Sequence, residues 1–214
     1  MNINLEILDA AYIFDEKEIE NLRTKELVPK MVQRRRLTRA AKIVLFLADK
    51  ISFEKGRIVY GSSFGEIPST ANILNSIKDN EPISPTHFQN SVYNTAVSYL
   101  SMLNNNQNEI MTVSSGDNTA KNILKTGAIK ALDGDTILLI ATETLNIDRI
   151  EEVNKCIDYL ESGVALKVKV TSEKANMNIK LKKNDEKLPN SMIDMINIAK
   201  NFDKEKTNIL EVKL

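Results

Sequence analysis

The chain has 214 residues, and its 29 Lys and Arg balance 29 Asp and Glu to a formal net charge of zero. That balance excludes a strongly basic nucleic-acid binder and a polyacidic tail. With 42% hydrophobic and 27% charged residues the composition is that of an ordinary globular chain, long enough to bury roughly 70% of its unfolded surface.

One folding unit spanning residues 1–214 is expected. Cys156 is the only cysteine and His87 the only histidine, which removes an intrachain disulfide, a zinc cluster, a CxxC pair and any multi-histidine metal site. No metal and no resident cofactor is therefore expected. The N-terminus carries acidic residues where a secretory leader carries basic ones, and no window reaches the roughly 18 apolar residues of a membrane span. A cytoplasmic protein that neither inserts in membranes nor binds nucleic acid is the expectation.

Apolar and polar residues alternate from Ile3 to Ile13, which predicts a strand, whereas Glu16 to Leu27 is charged enough for a surface turn or helix only. From residue 34 to about 50, Leu37, Ala40, Ala41, Val44, Leu45, Leu47 and Ala48 recur at helical spacing behind the basic run Arg34, Arg35, Arg36. Arg57 to Ser62 reads as a short strand, followed by the small-residue turn SSFGE and by IPSTANILNSI at helical period. Pro82 and Pro85 interrupt the chain, after which Val92, Ala96, Tyr99, Leu100 and Leu103 predict a helix across 91–103. Ile110 to Val113 is a strand that runs into a helix carrying Ala120, Ile123, Leu124, Gly127, Ala128 and Ala131. Thr136 to Thr142 is apolar enough for a strand buried on both faces. This β-α-α-β-α-β order predicts a layered α/β fold with a mixed, mostly parallel sheet. Farther on, Gly163–Thr171 and Met177–Leu181 alternate on either side of SEKAN, predicting an antiparallel hairpin, and a helix over 190–201 and a strand in ILEVKL end the chain.

The most chemical-looking feature is Val113-Ser114-Ser115-Gly116, a strand end turning into a helix, where a nucleophile can sit beside N–H groups that stabilise an oxyanion. Ser114 in that role needs a base, and His87 is the only imidazole. The competing reading, in which Ser114 and Ser115 cap the helix, is worth ~1 kcal/mol on its own and is preferred. Arg34, Arg35, Arg36 and Arg39 suit an anionic group such as a phosphopantetheine phosphate or an acidic carrier-protein surface, against the plainer use as a solvated helix face. Glu66 reads either as a buried acid or as a carboxylate complementing a helix N-terminus, and Cys156 as a structural thiol.

Four segments, RRRLTRAAKI (34–43), VYGSSFGEIPST (59–70), PISPTHFQNSVYNTAVSYLSM (82–102) and VSSGDNTAKNILKTGAIKAL (113–132), carry a family resemblance. In this order the chain resembles the N-terminal half of β-ketoacyl synthases, and more closely the short synthase-like, chain-length-factor proteins of the thiolase superfamily from aryl-polyene-type clusters. The similarity covers about residues 30–145. It implies a thiolase-like α/β/α half-fold, since those enzymes normally stack two such halves and this chain has the length of one.

The resemblance also implies roles for single residues. In the condensing enzymes the strand before the central helix ends in a nucleophilic cysteine followed by any residue, Ser and Gly. Ser115-Gly116 in that pattern puts Val113 at the nucleophile's place, and valine has no nucleophilic atom. The histidines that drive decarboxylation belong to the missing half, and Tyr93 stands where relatives often carry His. The family's dimer contacts fall here on about Glu109–Val113 and Ser91–Leu103. The implied role is a non-catalytic chain length factor that pairs with a catalytic ketosynthase in aryl polyene or related polyunsaturated acyl synthesis. Tyr93, Asn94, Val97, Tyr99, Met102, Met111 and Val113 would be interface or acyl-tunnel residues, and acyl carrier protein would reach the complex through the partner. The alternatives are an acyl hydrolase or acyltransferase using Ser114 with His87, and a degenerate synthase that only scaffolds.

Overall fold

The computed structural model describes residues 1–150, 157–177 and 187–214. Cys156 and residues 178–181 of the expected hairpin lie outside them. Six strands form one mixed sheet: β1 (Asn2–Asp15), β2 (Arg57–Gly61), β3 (Ile110–Val113), β4 (Ile137–Thr144), β5 (Glu161–Thr171) and β6 (Asn208–Lys213), in the order β3-β2-β4-β5-β1-β6. The helices are α1 (Thr24–Leu27), α2 (Met31–Arg34), α3 (Arg39–Lys50), α4 (Ile67–Lys78), α5 (Pro85–Asn90), α6 (Thr95–Leu103), α7 (Thr119–Lys130) and α8 (Asn190–Lys200).

The sheet is mixed, with parallel pairing confined to β3-β2 and β2-β4; β4-β5, β5-β1 and β1-β6 are antiparallel. The long N-terminal strand is the reason the parallel pairs are a minority, because it inserts between β5 and β6. It also takes the place of the expected hairpin partner: β5 pairs with β4 on one edge and β1 on the other. Met177 instead donates its amide to the carbonyl of Ile209 in β6.

Helices cover both faces. β4 is buried along its whole length because Leu138 and Ile140 point to one layer and Ile137, Leu139 and Ala141 to the other. On the first face α3 and α6 pack Ile43, Val44, Leu47, Ala96, Val97 and Leu100 against Ile58, Tyr60 and the β4 residues. On the second, α7 and α8 supply Ile123, Ala128, Met192, Met195 and Ile196. Gly163 in β5 lets α3 approach closely, for a Cβ there would overlap Ile43 and Leu47.

The helix expected from residue 34 is broken. Thr38 has extended backbone and its hydroxyl accepts from the Ala41 amide, so α3 starts at Arg39, with Arg34 ending α2 and Arg35 and Arg36 in the joint between α2 and α3. The expected 91–103 helix starts only at Thr95, as α6; residues 91–94 form a turn that separates it from α5.

Candidate functional site

The parallel strands β2 and β4 carry their carboxyl ends to one edge of the sheet, and there the apolar interior gives way to buried polar groups. Ser62 follows β2, Thr142, Glu143 and Thr144 close β4, and Glu161 and Ser162 open β5; all are buried. A buried carboxylate is costly unless donors surround it. Three such carboxylates are met here, each in a different way.

Glu143 is fully buried and accepts four hydrogen bonds. Its donors are the Ser62 hydroxyl at 2.8 Å, the Ser63 amide at 2.6 Å, the Phe64 amide at 3.2 Å and the Ser191 hydroxyl at 2.8 Å. Burial raises its pKa, and the four donors act against that rise. Glu161 accepts from the Ile19 amide at 2.7 Å and from the Arg39 guanidinium, whose Nε lies 2.8 Å away. Glu66 accepts the Thr38 hydroxyl at 2.7 Å, and burial pushes its carboxyl up to about 7. Tyr60 sits nearby with its phenol 2.8 Å from the Thr142 hydroxyl, and desolvation raises its pKa.

Beside this edge α5 and α6 frame a groove of about 520 Å³. Arg36, Gln89, Asn90, Asn94, Ser98 and Tyr99 supply most of its wall, so its chemistry is that of amides and hydroxyls around one guanidinium. A second cleft, about 680 Å³, opens between the 18–25 segment and α2–α3 and includes Lys25, Arg34, Arg35 and Lys42.

Residues 14–210 match the β-ketoacyl synthase, N-terminal domain family, which is most of the chain. The chain belongs to this family. Solved structures agree at the level of fold. A chain of the ketosynthase ApeO in complex with its chain length factor ApeC from Xenorhabdus doucetiae superposes with a TM-score of 0.71 at 18% identity, covering 94% of this chain and 93% of that one. A β-ketoacyl synthase from Burkholderia phymatum STM815 gives 0.57 at 9%, covering 79% and 59%. The ishigamide ketosynthase/chain length factor gives 0.60 at 10%, covering 81% and 63%. The chain thus spans about six-tenths of the latter two and nearly the whole of the first. No curated protein matches the sequence.

Within this ketosynthase-type half-fold, β3 is an edge strand paired only with β2 among the described residues, and it holds Met111 and Val113 half-buried. Tyr93 and Asn94 are exposed, Tyr99 is half-buried with its hydroxyl 3.4 Å from Asn90 Oδ1, and Met102 is 66% exposed. Val97 is a different case. It is fully buried against α3 and belongs to the chain's own core, not to a wall open to a ligand.

The basic residues also divide. Arg39 is held by Glu161 and Glu18, so it neutralises a buried carboxylate and is not free for an outside anion. Arg34 donates to the carbonyls of Val28 and Pro29. Arg35 and Arg36 are exposed, one in each cleft. Ser115 stands at the N-cap of the short turn Gly116–Asn118 but makes no side-chain cap; the turn is closed by Thr119, whose hydroxyl accepts from the Ser115 amide and donates to the Gly116 carbonyl. Ser114 is exposed and no hydrogen bond joins it to His87, which lies on α5. Glu66 resolves as the buried acid, making no side-chain cap on its own helix.

The sequence reading passed over Glu143 and Glu161. A signal was present for Glu143, an acid that closes the apolar strand run ILLIAT, where solvation is lost and a donor set must follow; Glu161 opens an alternating strand and carries no such signal. Among the described residues no cluster of His, Cys, Asp and Glu is suited to a metal, and no helix is long and apolar enough to cross a membrane.

Proposed function

We propose that this chain is a non-catalytic, chain-length-factor-type subunit that pairs with a catalytic ketosynthase in aryl polyene or related polyunsaturated acyl synthesis. The observation that carries the reading is an uneven apolar surface. Of fifteen large hydrophobic side chains exposed among the described residues, eight fall between Phe64 and Met102: Phe64, Leu74, Ile77, Ile83, Phe88, Val92, Tyr93 and Met102. Phe64 lies in the turn before α4 and the other seven on the α4–α6 segment, which precedes the edge strand β3 in the chain. A concentration of exposed apolar side chains marks an association surface, and the free edge of β3 offers backbone groups for association as well.

Two further points support it. Val113 at the end of β3 supplies no nucleophile, and the chain's length suits one half of a synthase. In size this chain matches the X. doucetiae neighbour, whose structure holds a ketosynthase together with a chain length factor. Arg36 and the groove beside it are suited to a polar or anionic group at the rim of such a complex, and the whole 1–214 chain would act as one unit.

Co-expression with the ketosynthase encoded nearest to it, followed by size-exclusion chromatography with mass detection, tests the reading. A one-to-one complex that condenses acyl chains, where neither chain does so alone, is expected. A monomer that ignores the ketosynthase would sink it.

A further inference from the structure

The turn Ser62–Gly65 joins β2 to α4 and is held from two sides. From inside, Glu143 accepts from the Ser62 hydroxyl and from the amides of Ser63 and Phe64. The Ser62 oxygen in turn accepts from the Gly65 amide at 2.8 Å, so the amides of Ser63, Phe64 and Gly65 and the Ser62 hydroxyl end on one carboxylate or on a hydroxyl bound to it, while the Ser62 amide donates to the Val113 carbonyl of β3. From outside, Tyr93 donates its hydroxyl to the Ser63 carbonyl at 3.3 Å. Its ring lies over Gly65, where a Cβ would approach within 3.2 Å of three ring carbons, and Gly65 has φ +62°, which favours glycine on both counts. At the tip Phe64 is 41% exposed.

Four residues are therefore pinned so that one large apolar side chain faces solvent in a fixed direction. An ordinary loop tip that exposes a Phe would be free to fold it back and lower its exposed area. Here the bonds to Glu143 hold the backbone of the turn, which sets the direction in which the Phe64 side chain leaves it. The same carboxylate also accepts from Ser191 on α8, so two functions of Glu143, bracing α8 and shaping the turn, are separable by mutation.

We infer that Glu143 is a positioning residue: its buried carboxylate, with Tyr93 as an outer latch, holds the Ser62–Gly65 turn so that Phe64 is presented, pre-ordered, to the partner chain. Pre-ordering lowers the entropy lost on association and acts mainly on how long a complex lasts. The presentation part rests on the pairing reading above, whereas the shaping of the turn does not.

The test uses the full chain, alone and with its ketosynthase. In Glu143→Gln the amide group turns a donor toward donors, and the Ser63 and Phe64 amides should exchange hydrogen roughly tenfold faster in the isolated chain. The complex should dissociate roughly tenfold faster as well. Ser191→Ala, which removes only the α8 donor, should lower the melting temperature and leave the dissociation rate as it was. Tyr93→Phe, which keeps the ring and loses the latch, should raise turn exchange and dissociation in the same direction by less. Unchanged turn exchange in Glu143→Gln overturns the inference whatever happens to pairing. Faster exchange with unchanged dissociation, or Ser191→Ala dissociating as fast as Glu143→Gln, overturns the presentation role. If the unaltered chain does not pair at all, the pairing reading fails and presentation with it, while the exchange data still decide the turn.

Discussion

Helices α3 and α4 are both twelve residues long, and they are used in opposite ways. α3 buries seven side chains between the sheet and α6, while the only buried residue of α4 is Ser69. Yet α4 carries Ile67, Ile73, Leu74 and Ile77, and Leu74 and Ile77 are 60% and 56% exposed. An amphipathic helix earns its stability by burying a face. The contrast teaches that α3 is completed by its own chain and that the apolar face of α4 is left for something else.

The largest effect should come from α3. Replacing Arg39 with Leu leaves Glu161 buried with only the Ile19 amide, and thermal or urea unfolding should show a loss of about 3–5 kcal/mol. Leu47→Ala, in the α3 core, should cost about 2–5 kcal/mol by the same measurement. A cost below 1 kcal/mol at both sites would remove the claim that α3 is finished within the chain.

A pH series sharpens the joint between the two helices, because Glu66 starts α4 and takes its hydrogen bond from Thr38 at the start of α3. Folding raises the Glu66 pKa from the ordinary 4.5 to about 7, so the folded chain binds this proton more tightly than the unfolded one. Its contribution is therefore most favourable below about pH 4.5 and is lost as pH climbs to about 7. Glu66→Gln should match the unaltered chain near pH 4 and exceed it at pH 8, by on the order of 2–3 kcal/mol. Glu143 shifts in the same direction, which is why the comparison is made against the single variant and not against pH alone. Parallel melting curves for the two proteins across that range would discard the assignment.

The smallest effect on stability should come from α4. Leu74→Ser and Ile77→Ser should each leave the isolated chain within about 0.5 kcal/mol, while weakening a complex in which α4 is covered. A stability loss as large as that of Leu47→Ala would mean that α4 packs within its own chain after all.

Much of this was legible along the chain. Apolar periodicity located β1, α3, β2, α4, β3, α7, β4, α8 and β6, because a period of 2 or 3.6 is a local property that burial of one face enforces. The resemblance in four short segments pointed to the family that residues 14–210 match. Other features needed contacts far apart in sequence. The break before Arg39 depends on one Thr38 hydroxyl, and β5's second neighbour is a strand some 150 residues earlier. Ser114 and Ser115 were the natural caps by residue type, and Thr119 closes the turn because its side chain reaches both Ser115 and Gly116.

The sequence by itself determined the layered α/β class, most element positions and the single histidine and single cysteine, all of which follow from residue type and local spacing. Only the tertiary structure decided that Arg39 belongs to Glu161, that Val97 is core, that Glu66 is a buried acid and that Glu143 gathers the Ser62–Gly65 turn. The physical reason is that the cost of a buried charge and the place of its donors depend on what folding brings around it. Residue type names the group that must be satisfied, and the fold supplies its partner.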